Sequence, residues 1–417
     1  MKRYKAYKDS GMKWIGEIPS HWGCVPFKRI AKVQCNLVHP WDNLDMQQIS
    51  PDSIEKNSGK IIKERTVEEA NLDSDNHRFY KGQILYSKIR PLLNKVTIAP
   101  YDGLCSADMY PISTIENTEF VMYYMLSESF LTSVKNSVAD RVKMPKINQE
   151  ELKETSFVVP PLHEQQAIVD YLKDKTLKIE QYVSARERER ELLDSLKQSE
   201  IANVVTKGLN PNVKMKDSGI PWIGEIPEHW EVKKIRSCFK ERREKVSDKE
   251  FAALSVSKFG VTPQLETAVK TDNGDNRKKV CKGDFVVNSR SDRKGSCGFS
   301  EYDGSVSLIN IVLTPRNVDV RFYHYLFRSN NYIEEFYRQG RGIVADLWTT
   351  RYSEMKSIYI PVPPLSEQQA IVAYIDSKLQ KIDQYMCDLQ REIDYLKEFK
   401  QRLISDAVTG QLCVTKQ

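Results

Sequence analysis

The chain has 417 residues, of which 40% are apolar and 29% charged, and its net charge is +6. This length allows two to four domains with substantial cores, and the composition excludes a chain that is disordered throughout. The largely apolar run at residues 308–313 is only as long as a strand, no apolar run approaches the length of a membrane span, and no apolar stretch follows the charged start, so we expect no membrane span, no secretory signal and a cytoplasmic location.

The first element is a turn-rich segment at residues 8–22, which returns at residues 216–230 with twelve of fifteen positions identical. Its Gly and Pro residues predict irregular backbone rather than helix or strand. We expect Trp14 and Trp22 to anchor this segment onto its own unit; a ligand site built from the tryptophans is the alternative.

Residues 23–157 form the first variable block. Its apolar runs at 83–86, 95–98 and 157–159 predict short strands, and residues 119–135 predict one aromatic helix. Because short strands dominate and a helix is added, the fold class that we expect is α+β.

Residues 231–360 form a second block with the same skeleton. At an offset of 201, Lys81-Gly82 recurs as Lys282-Gly283, and Tyr124 recurs as Tyr325 within a second aromatic helix. Most of the loop residues differ between the two blocks. A shared framework with different loops predicts two related modules that bind different targets, and hence an internal two-fold repeat.

Each block is followed by the motif Pro-Pro-Leu-x-Glu-Gln-Gln, at residues 160–166 and 363–369, and then by a long amphipathic stretch. Gly208 and Gly410 stand where a left-handed residue would end each helix. The chain is thus predicted to comprise a first block at 1–157, a first long helix at 158–208, a linker with the second block at 209–360, and a second long helix at 361–417.

An apolar seam with alternating spacings of four and three residues runs along each long helix. Its apolar members are Ile168, Leu172, Ile179, Leu193, Leu196, Ile371, Ile375, Ile382, Leu389, Leu396 and Leu403. Such a heptad seam predicts coiled-coil packing, most simply of the two helices against each other. Amphipathic faces packed on separate domain cores are the alternative.

The positive charge lies outside the long helices. Residues 164–207 carry a net charge of −1 and residues 366–408 carry −2, so the rest of the chain carries +9. A basic excess in the two blocks is expected of surfaces that face a polyanion.

This arrangement resembles the specificity (S) subunit of type I restriction–modification enzymes. The resemblance rests on Trp-Ile-Gly-Glu-Ile-Pro-x-His-Trp, a variable block, Pro-Pro-Leu-x-Glu-Gln-Gln and a long helix, all of which occur twice and cover nearly the whole chain. It implies that each block is a target recognition domain for one half of a bipartite DNA site, and that the helices form an antiparallel coiled coil.

The same resemblance implies partners and places the chemistry on them. The helices would space the two domains and dock methyltransferase (M) subunits. Two antiparallel helices present two similar faces, which suits two copies of the M subunit. Endonuclease/translocase (R) subunits would join for cleavage. S-adenosylmethionine would belong to the M subunit, and ATP and Mg²⁺ to the R subunit, so we expect this chain to have no cofactor of its own.

The motifs of the sequence agree with a non-catalytic role. The chain lacks the Asn-Pro-Pro-Tyr/Phe motif of adenine methyltransferases, the Gly-x-x-x-x-Gly-Lys-Ser/Thr loop of P-loop NTPases and the Gly-x-Gly-x-x-Gly dinucleotide motif. Its eight cysteines include no Cys-x-x-Cys pair and its six histidines show no ligand spacing, so we expect reduced thiols and no metal site.

DNA contacts are expected from basic and amide side chains in loops, since Lys and Arg bind phosphates while Arg, Asn and Gln can pair with base edges. Two groups are predicted in each block, one after a central strand and one before the closing strand. The predicted DNA-binding residues are Lys88, Arg90, Asn94, Lys95, Arg141, Lys143, Lys146, Asn288, Ser289, Arg290, Arg293, Lys294, Arg338, Arg341 and Arg351.

Two other functions are compatible with parts of the sequence. A metal-dependent DNA endonuclease could use Asp140 with Glu151-Leu152-Lys153, or Asp346 with Glu354-Met355-Lys356, to hold Mg²⁺ and position a water. The two Glu-x-Lys pairs lie 203 positions apart, and each stands just before the closing strand of its block, which favours a structural role. A coiled-coil protein–protein adaptor is the third possibility, but it leaves the basic excess of the blocks unexplained.

Overall fold

The computed structural model describes residues 3–141, 145–264, 274–342 and 348–414. The chain divides into two units, of which the first holds residues 1–187 and 390–417 and the second holds residues 188–389. Each unit therefore contains one variable block, the beginning of the long helix that follows this block, and the end of the other long helix.

The first block and its long helix contain twelve strands and five α-helices within the described residues. The strands are β1 (Tyr7–Asp9), β2 (Glu17–Pro19), β3 (Gly23–Pro26), β4 (Ala31–Val33), β5 (Leu37–Val38), β6 (Gln47–Ile49), β7 (Asn76–Phe79), β8 (Ile84–Ser87), β9 (Val96–Ile98), β10 (Gly103–Cys105), β11 (Met109–Thr114) and β12 (Ser156–Val159). The helices are α1 (Val67–Ala70), α2 (Thr118–Leu126), α3 (Glu128–Ser137), α4 (Gln149–Glu154) and α5 (Leu162–Lys207).

The second block and its long helix add thirteen strands and five α-helices within the described residues. The strands are β13 (Met215–Asp217), β14 (Glu225–Pro227), β15 (Glu231–Lys234), β16 (Phe239–Glu241), β17 (Lys245–Val246), β18 (Leu254–Ser257), β19 (Gly260–Pro263), β20 (Arg277–Val280), β21 (Phe285–Asn288), β22 (Cys297–Phe299), β23 (Gly304–Ser307), β24 (Asn310–Pro315) and β25 (Tyr359–Val362). The helices are α6 (Ile235–Cys238), α7 (Val320–Leu326), α8 (Asn330–Arg338), α9 (Tyr352–Met355) and α10 (Leu365–Val408).

The two blocks share one sheet topology, as the internal repeat predicts. The sheet β4-β11-β8-β9 of the first block returns as β16-β24-β21-β22 in the second. The register is also kept, since Ile84 lies opposite Ile112 and Phe285 lies opposite Leu313. A second sheet, β5-β7-β10-β6 or β17-β20-β23, lies beside it in each block, so the α+β class is confirmed.

The aromatic helix of the first block is two helices rather than one. Helix α2 ends at Leu126, and Ser127 caps α3 by accepting a hydrogen bond from the Phe130 amide at 3.3 Å. A serine at this position is a helix-starting signal that the sequence already contained. The predicted match of Tyr124 with Tyr325 is one residue off, because the N-caps of α2 and α7, Asn117 and Asp319, lie 202 positions apart.

The repeated tryptophan segment docks onto its own unit, as predicted. The buried Glu164, at the start of α5, accepts a hydrogen bond from Trp22 Nε1 at 3.2 Å and lies 2.6 Å from His21 Nε2. The second unit repeats this with Glu367, Trp230 at 2.9 Å and His229 at 2.6 Å. Both tryptophans are fully buried, whereas Trp14 is 38% exposed. The repeated His-Trp and Glu residues therefore join each block to its helix.

Within each unit the two long helices run antiparallel. In the first unit Glu180 pairs with Lys400 at 2.7 Å and Glu187 pairs with Lys397 at 2.8 Å, so residue numbers rise along α5 as they fall along α10. The second unit has the pairs Lys197–Asp383 and Glu200–Tyr374, each at 2.6 Å. Both helices end at the predicted left-handed glycines, Gly208 with φ +74° and Gly410 with φ +77°.

Most of the predicted seam residues lie on the inner side of the helices. The buried or half-buried ones are Ile168, Leu172, Ile179, Leu193, Ile371, Ile375, Ile382, Leu389, Leu396 and Leu403. Leu196 is 53% exposed, and its assignment to the seam is wrong. Because neighbouring positions differ by about 100° around a helix, Lys197 rather than Leu196 lies on the inner side. The side chain of Lys197 is half-buried, and its ammonium group pairs with Asp383.

Among the helices that the structure describes, none combines the length and the apolarity that crossing a membrane requires.

Candidate nucleic-acid interface

The structure brings the two predicted basic groups of the first block together. The Arg90 amide donates to the Pro145 carbonyl at 2.9 Å, and the Ile147 amide donates to the Lys88 carbonyl at 3.0 Å. The loop after β8 is thus hydrogen-bonded to the segment before α4. Groups that are more than fifty positions apart in the sequence form one surface.

The second block repeats this pairing. The Thr350 amide donates to the Ser289 carbonyl at 3.0 Å, and the Ser291 amide donates to the Trp348 carbonyl at 3.1 Å. The loop after β21 is therefore joined to the segment before α9. The same backbone contact in both blocks defines an equivalent basic surface on each.

On the surface of the first block, Arg90 is exposed with a left-handed φ of +44°, and Lys146 is 53% exposed beside Asp108 at 3.2 Å. Lys88 Nζ lies 5.4 Å from the centroid of the Tyr110 ring. Arg141 is held by Glu151, and Lys143 lies outside the described residues. Exposed cations with mobile side chains are suited to phosphate contacts.

One predicted contact of the first block is wrong, and a second predicted residue is hydrogen-bonded within its own block. Asn94 is only 1% exposed because it ends a short 3₁₀ turn in a left-handed conformation, with φ +46°. Lys95 donates from Nζ to the Pro51 carbonyl at 2.5 Å, and its side chain is thereby held within its own block. Both residues support the loop rather than extend from it.

The loop after β21 presents two arginines around one aspartate. Arg290 Nε lies 2.9 Å from Asp292, and Arg293 Nε lies 3.8 Å from it. Lys294 is paired with Glu334 at 3.0 Å and stands over the Tyr337 ring at 3.9 Å. The loop therefore keeps a net positive charge at its tip, while Lys294 anchors its end.

The three arginines of the later basic group in the second block differ in their exposure and in their ion pairs. Arg338 pairs with Glu335 at 2.7 Å, and Arg341 is 86% exposed with Glu354 3.9 Å away. Arg351 is exposed and lies beside the same groove as Arg341. Arg341 and Arg351 have the exposure that DNA contacts need, whereas Arg338 is neutralised by its neighbour on the helix.

Asn288 and Ser289 are not placed for DNA contact. Ser289 is 6% exposed, and its hydroxyl donates to the Ile309 carbonyl at 2.5 Å, so its assignment as a DNA-binding residue is wrong. Asn288 is half-buried, and its Oδ1 accepts a hydrogen bond from the Arg290 amide at 3.1 Å. Both side chains shape the loop that carries the arginines.

A groove of about 470 Å³ opens beside this surface in the second block. Its lining includes Glu241, Arg243, Lys278, Arg351 and Tyr352. Burial lowers the pKa of Lys278, although Glu241 opposes this effect. Arg243 and Lys278 were missed from the sequence; the Arg-Arg pair that directly follows a strand was the available signal for Arg243.

The first block has a polar cluster at the equivalent place. Gln149 Nε2 donates to Cys35 Sγ at 3.3 Å, and Lys88 stands over Tyr110 nearby. Burial and the Lys88 charge lower the pKa of His77, and burial with the neighbouring Cys35 and Glu151 raises the pKa of Tyr110 to about 12. His77 and Tyr110 are therefore neutral donors or acceptors at neutral pH.

The glutamates of the two Glu-x-Lys pairs have structural roles. Glu151 and Glu354 each accept a hydrogen bond from the backbone amide at the start of their own helix, at 2.9 and 3.1 Å. Burial raises the pKa of Glu151, but hydrogen bonds from Arg141 and the Asn148 amide outweigh it and lower the pKa. Asp346 lies outside the described residues. Helix capping accounts for both glutamates without a metal.

Comparison with known protein families gives a match over most of the chain. The family described as "Type I restriction modification DNA specificity domain" matches residues 36–185 and 227–393. The chain is 42% identical to the type I restriction enzyme EcoDI specificity subunit of Escherichia coli, over 38% of this chain and 35% of that protein. It is 26% identical to the putative MjaX specificity subunit of Methanocaldococcus jannaschii, over 98% of both chains.

Solved structures share the fold. One, described as the structural basis of complex assembly and conformational transition of the type I R-M system, aligns with a TM-score of 0.71 at 17% identity, over 95% of this chain and 99% of that one. The HsdS subunit from Thermoanaerobacter tengcongensis aligns with a TM-score of 0.51 at 18% identity, over 95% of this chain and 98% of that one.

Proposed function

Since the chain belongs to the family of type I restriction–modification DNA specificity proteins, we propose that it is the DNA-recognition subunit of such a complex and that each block binds one half of a bipartite site. The observation that carries the proposal is the equivalent basic surface on each block, built by the same backbone contact from different side chains. Equal frameworks with unequal side chains suit two half-sites of different sequence.

The partners follow from this role. Methyltransferase subunits, two copies of them, would dock on the helices, and endonuclease/translocase subunits would join for cleavage. S-adenosylmethionine would be bound by the former, and ATP with Mg²⁺ by the latter. The chain itself would work in the cytoplasm without a cofactor and without catalysis.

The long helices would set the distance between the half-sites. A helix of 46 residues is about 69 Å long and one of 44 residues about 66 Å, at roughly 1.5 Å per residue. This length exceeds the roughly 34 Å of one turn of DNA. Two helices paired along their length resist bending better than one, which suits a spacer.

An exchange of one block tests the proposal. Residues 231–360 are replaced by the equivalent block of another specificity protein, and methylated adenines are mapped in cells that also contain the methyltransferase subunit. One half of the methylated sequence should change, and the other half should remain. The proposal fails if both halves change together or if neither does.

Assays of the purified chain separate the two other functions. If the chain is a recognition subunit, it should not cut DNA with Mg²⁺, and cleavage would establish the nuclease alternative. DNA binding by the complex should weaken steeply with salt because phosphate contacts release counterions. Binding that salt does not affect would favour the adaptor.

A further inference from the structure

Positions 34 and 242 occupy the same place in the two blocks. The Gln34 amide donates to the Pro111 carbonyl, and the Arg242 amide donates to the Val312 carbonyl, each at 2.8 Å. Pro111 and Val312 are themselves equivalent, because they hold the same register in the β11–β8 and β24–β21 pairs. The residues that follow, at positions 35 and 243, therefore leave their sheets at matching points.

The side chains at these points show that the framework is constant while its chemistry varies. Gln34 Oε1 accepts a hydrogen bond from Gln83 Nε2 at 2.6 Å. In the second block Arg242 forms a bidentate pair with the buried Asp284, at 2.7 and 3.0 Å. The first block thus has a neutral amide pair where the second block has an ion pair, although the backbone contacts are the same.

Arg243 has the geometry expected of an arginine that contacts a base edge: its guanidinium is held by a neighbouring side chain and is otherwise exposed. Its side chain is 78% exposed, and its Nε donates at 2.6 Å to Glu241, whose side chain is only 11% exposed. Within the described part of the chain its two Nη groups have no partner. A guanidinium held through Nε with both Nη groups open can donate two parallel hydrogen bonds to guanine O6 and N7.

We infer that Arg243 determines specificity by reading a guanine in the half-site bound by the second block, with Glu241 as the positioning residue that orients its guanidinium. This inference rests on the proposed function. In the first block Cys35 stands at the equivalent position, and a thiol cannot donate two hydrogen bonds. The other half-site therefore has no guanine that is read from this point.

The neighbouring charge favours a base over a phosphate as the ligand of Arg243. A phosphate at its Nη groups would lie close to the carboxylate of Glu241 and be repelled by it, whereas the uncharged edge of a guanine would not. Arg351 lines the adjoining rim, and the described residues include no ion-pair partner for it. Arg351 is therefore better placed for a phosphate.

The test uses the full chain in complex with its methyltransferase subunit. The variants are R243Q, R243K and E241Q, and R236Q is the control because Arg236 is exposed on α6 outside the groove and its loss changes the charge equally. Methylation rates are measured on DNA in which each position of the site is varied. R243Q should reduce discrimination at one guanine of one half-site by roughly 5- to 150-fold.

The other variants distinguish recognition of a base from a general effect of positive charge. R243K keeps the charge but lacks the planar fork, so it should relax the same position, and it also decides the matter if the R243Q complex does not assemble. E241Q should relax that position less strongly, while R236Q should leave the whole sequence preference intact. Unchanged preference in R243Q or R243K, or an equal loss at every position, would overturn the inference.

Failure of this inference differs from failure of the proposed function. If exchange of residues 231–360 changes one half-site but R243Q leaves it intact, the block reads DNA through other residues and only the role of Arg243 is lost. If the exchange changes neither half-site, the proposed function itself is wrong.

Discussion

Gly410 lies against Trp22: a Cβ atom added to this glycine would stand 2.9 Å from the ring carbon Cζ3 of the tryptophan. The Tyr7 hydroxyl also donates to the Gly410 carbonyl at 2.9 Å. The last turn of α10 thereby completes the core of the first unit, to which Leu403 and Val408 also belong. The first block is thus closed by the opposite end of the chain.

Replacement of Gly410 by Ala should destabilise the first unit. The new Cβ would clash with the Pro19 ring, and φ is +77°, which L-residues disfavour. Strain of about 1–2 kcal/mol from the left-handed backbone adds to about 1–3 kcal/mol from overpacking. Denaturant unfolding of the full chain measures the loss. Gly11→Ala, with φ +78° but open space around it, is the control and should show only the backbone part.

The Glu164→Leu variant should weaken the contact between the first block and its helix. Glu164 accepts a hydrogen bond from Trp22, and its side chain is 7% exposed, so a leucine that cannot accept leaves the buried indole N–H unsatisfied, at a cost of about 1–3 kcal/mol. Glu367→Leu is the matched comparison, because the Glu367 side chain is 39% exposed and water can replace the lost bond. Equal losses of unfolding free energy in the two variants would contradict this account.

Repeats in the sequence predicted the topology well, because each repeated residue makes the same contact twice. Glu164 and Glu367, or Gly208 and Gly410, could be assigned a structural role from recurrence alone. The aromatic helices were matched one residue out of register, since the connection before α7 is one residue longer than that before α2.

Side-chain exposure was harder to predict than the backbone. Asn94 and Ser289 are polar and occur in loops, yet hydrogen bonding and local backbone conformation turn them inward. Leu196 is apolar, yet it lies outward because Lys197 occupies the inner position. Arg243 was missed because its place beside the groove depends on residues from distant parts of the chain, although its partner Glu241 is only two positions away.

Stability should fall as the pH is lowered through the range of His324. Burial, with the charges of Arg328 and Arg321, lowers its pKa to about 4, although Asp376 opposes this shift. The unfolded chain then binds a proton between about pH 6.5 and 4 that the folded chain does not bind, so folding loses roughly 2–3 kcal/mol over this window.

Unfolding of the His324→Gln variant at a series of pH values checks this. The slope of unfolding free energy between pH 6.5 and 4 should flatten, because the titrating group has been removed. His163→Gln, at an exposed histidine, is the control and should keep the slope of the parent chain. An unchanged slope in His324→Gln would show that other groups cause the acid sensitivity.

Loss of Arg351 should weaken DNA binding equally for all sequences. One phosphate contact fewer should lower the slope of log affinity against log salt by about 0.9. Arg338→Ala is the matched control, since Arg338 already pairs with Glu335 at 2.7 Å. Titration of DNA with the complex at several salt concentrations gives both slopes. A changed sequence preference in Arg351→Ala would instead make it a base-reading residue.

Lengthening both long helices should lengthen the unread part of the DNA site. The units divide at residues 187/188 and 389/390, so seven residues are inserted after Glu187 and seven after Leu389. Seven residues keep the seam in register and add about 10.5 Å, or roughly three base pairs at about 3.4 Å each. Both half-sites should be retained.

Insertion of two residues at each point is the control, because it turns the seam outward and should abolish methylation. Mapped sites with the original spacing in the seven-residue variant would show that the helices do not set the distance.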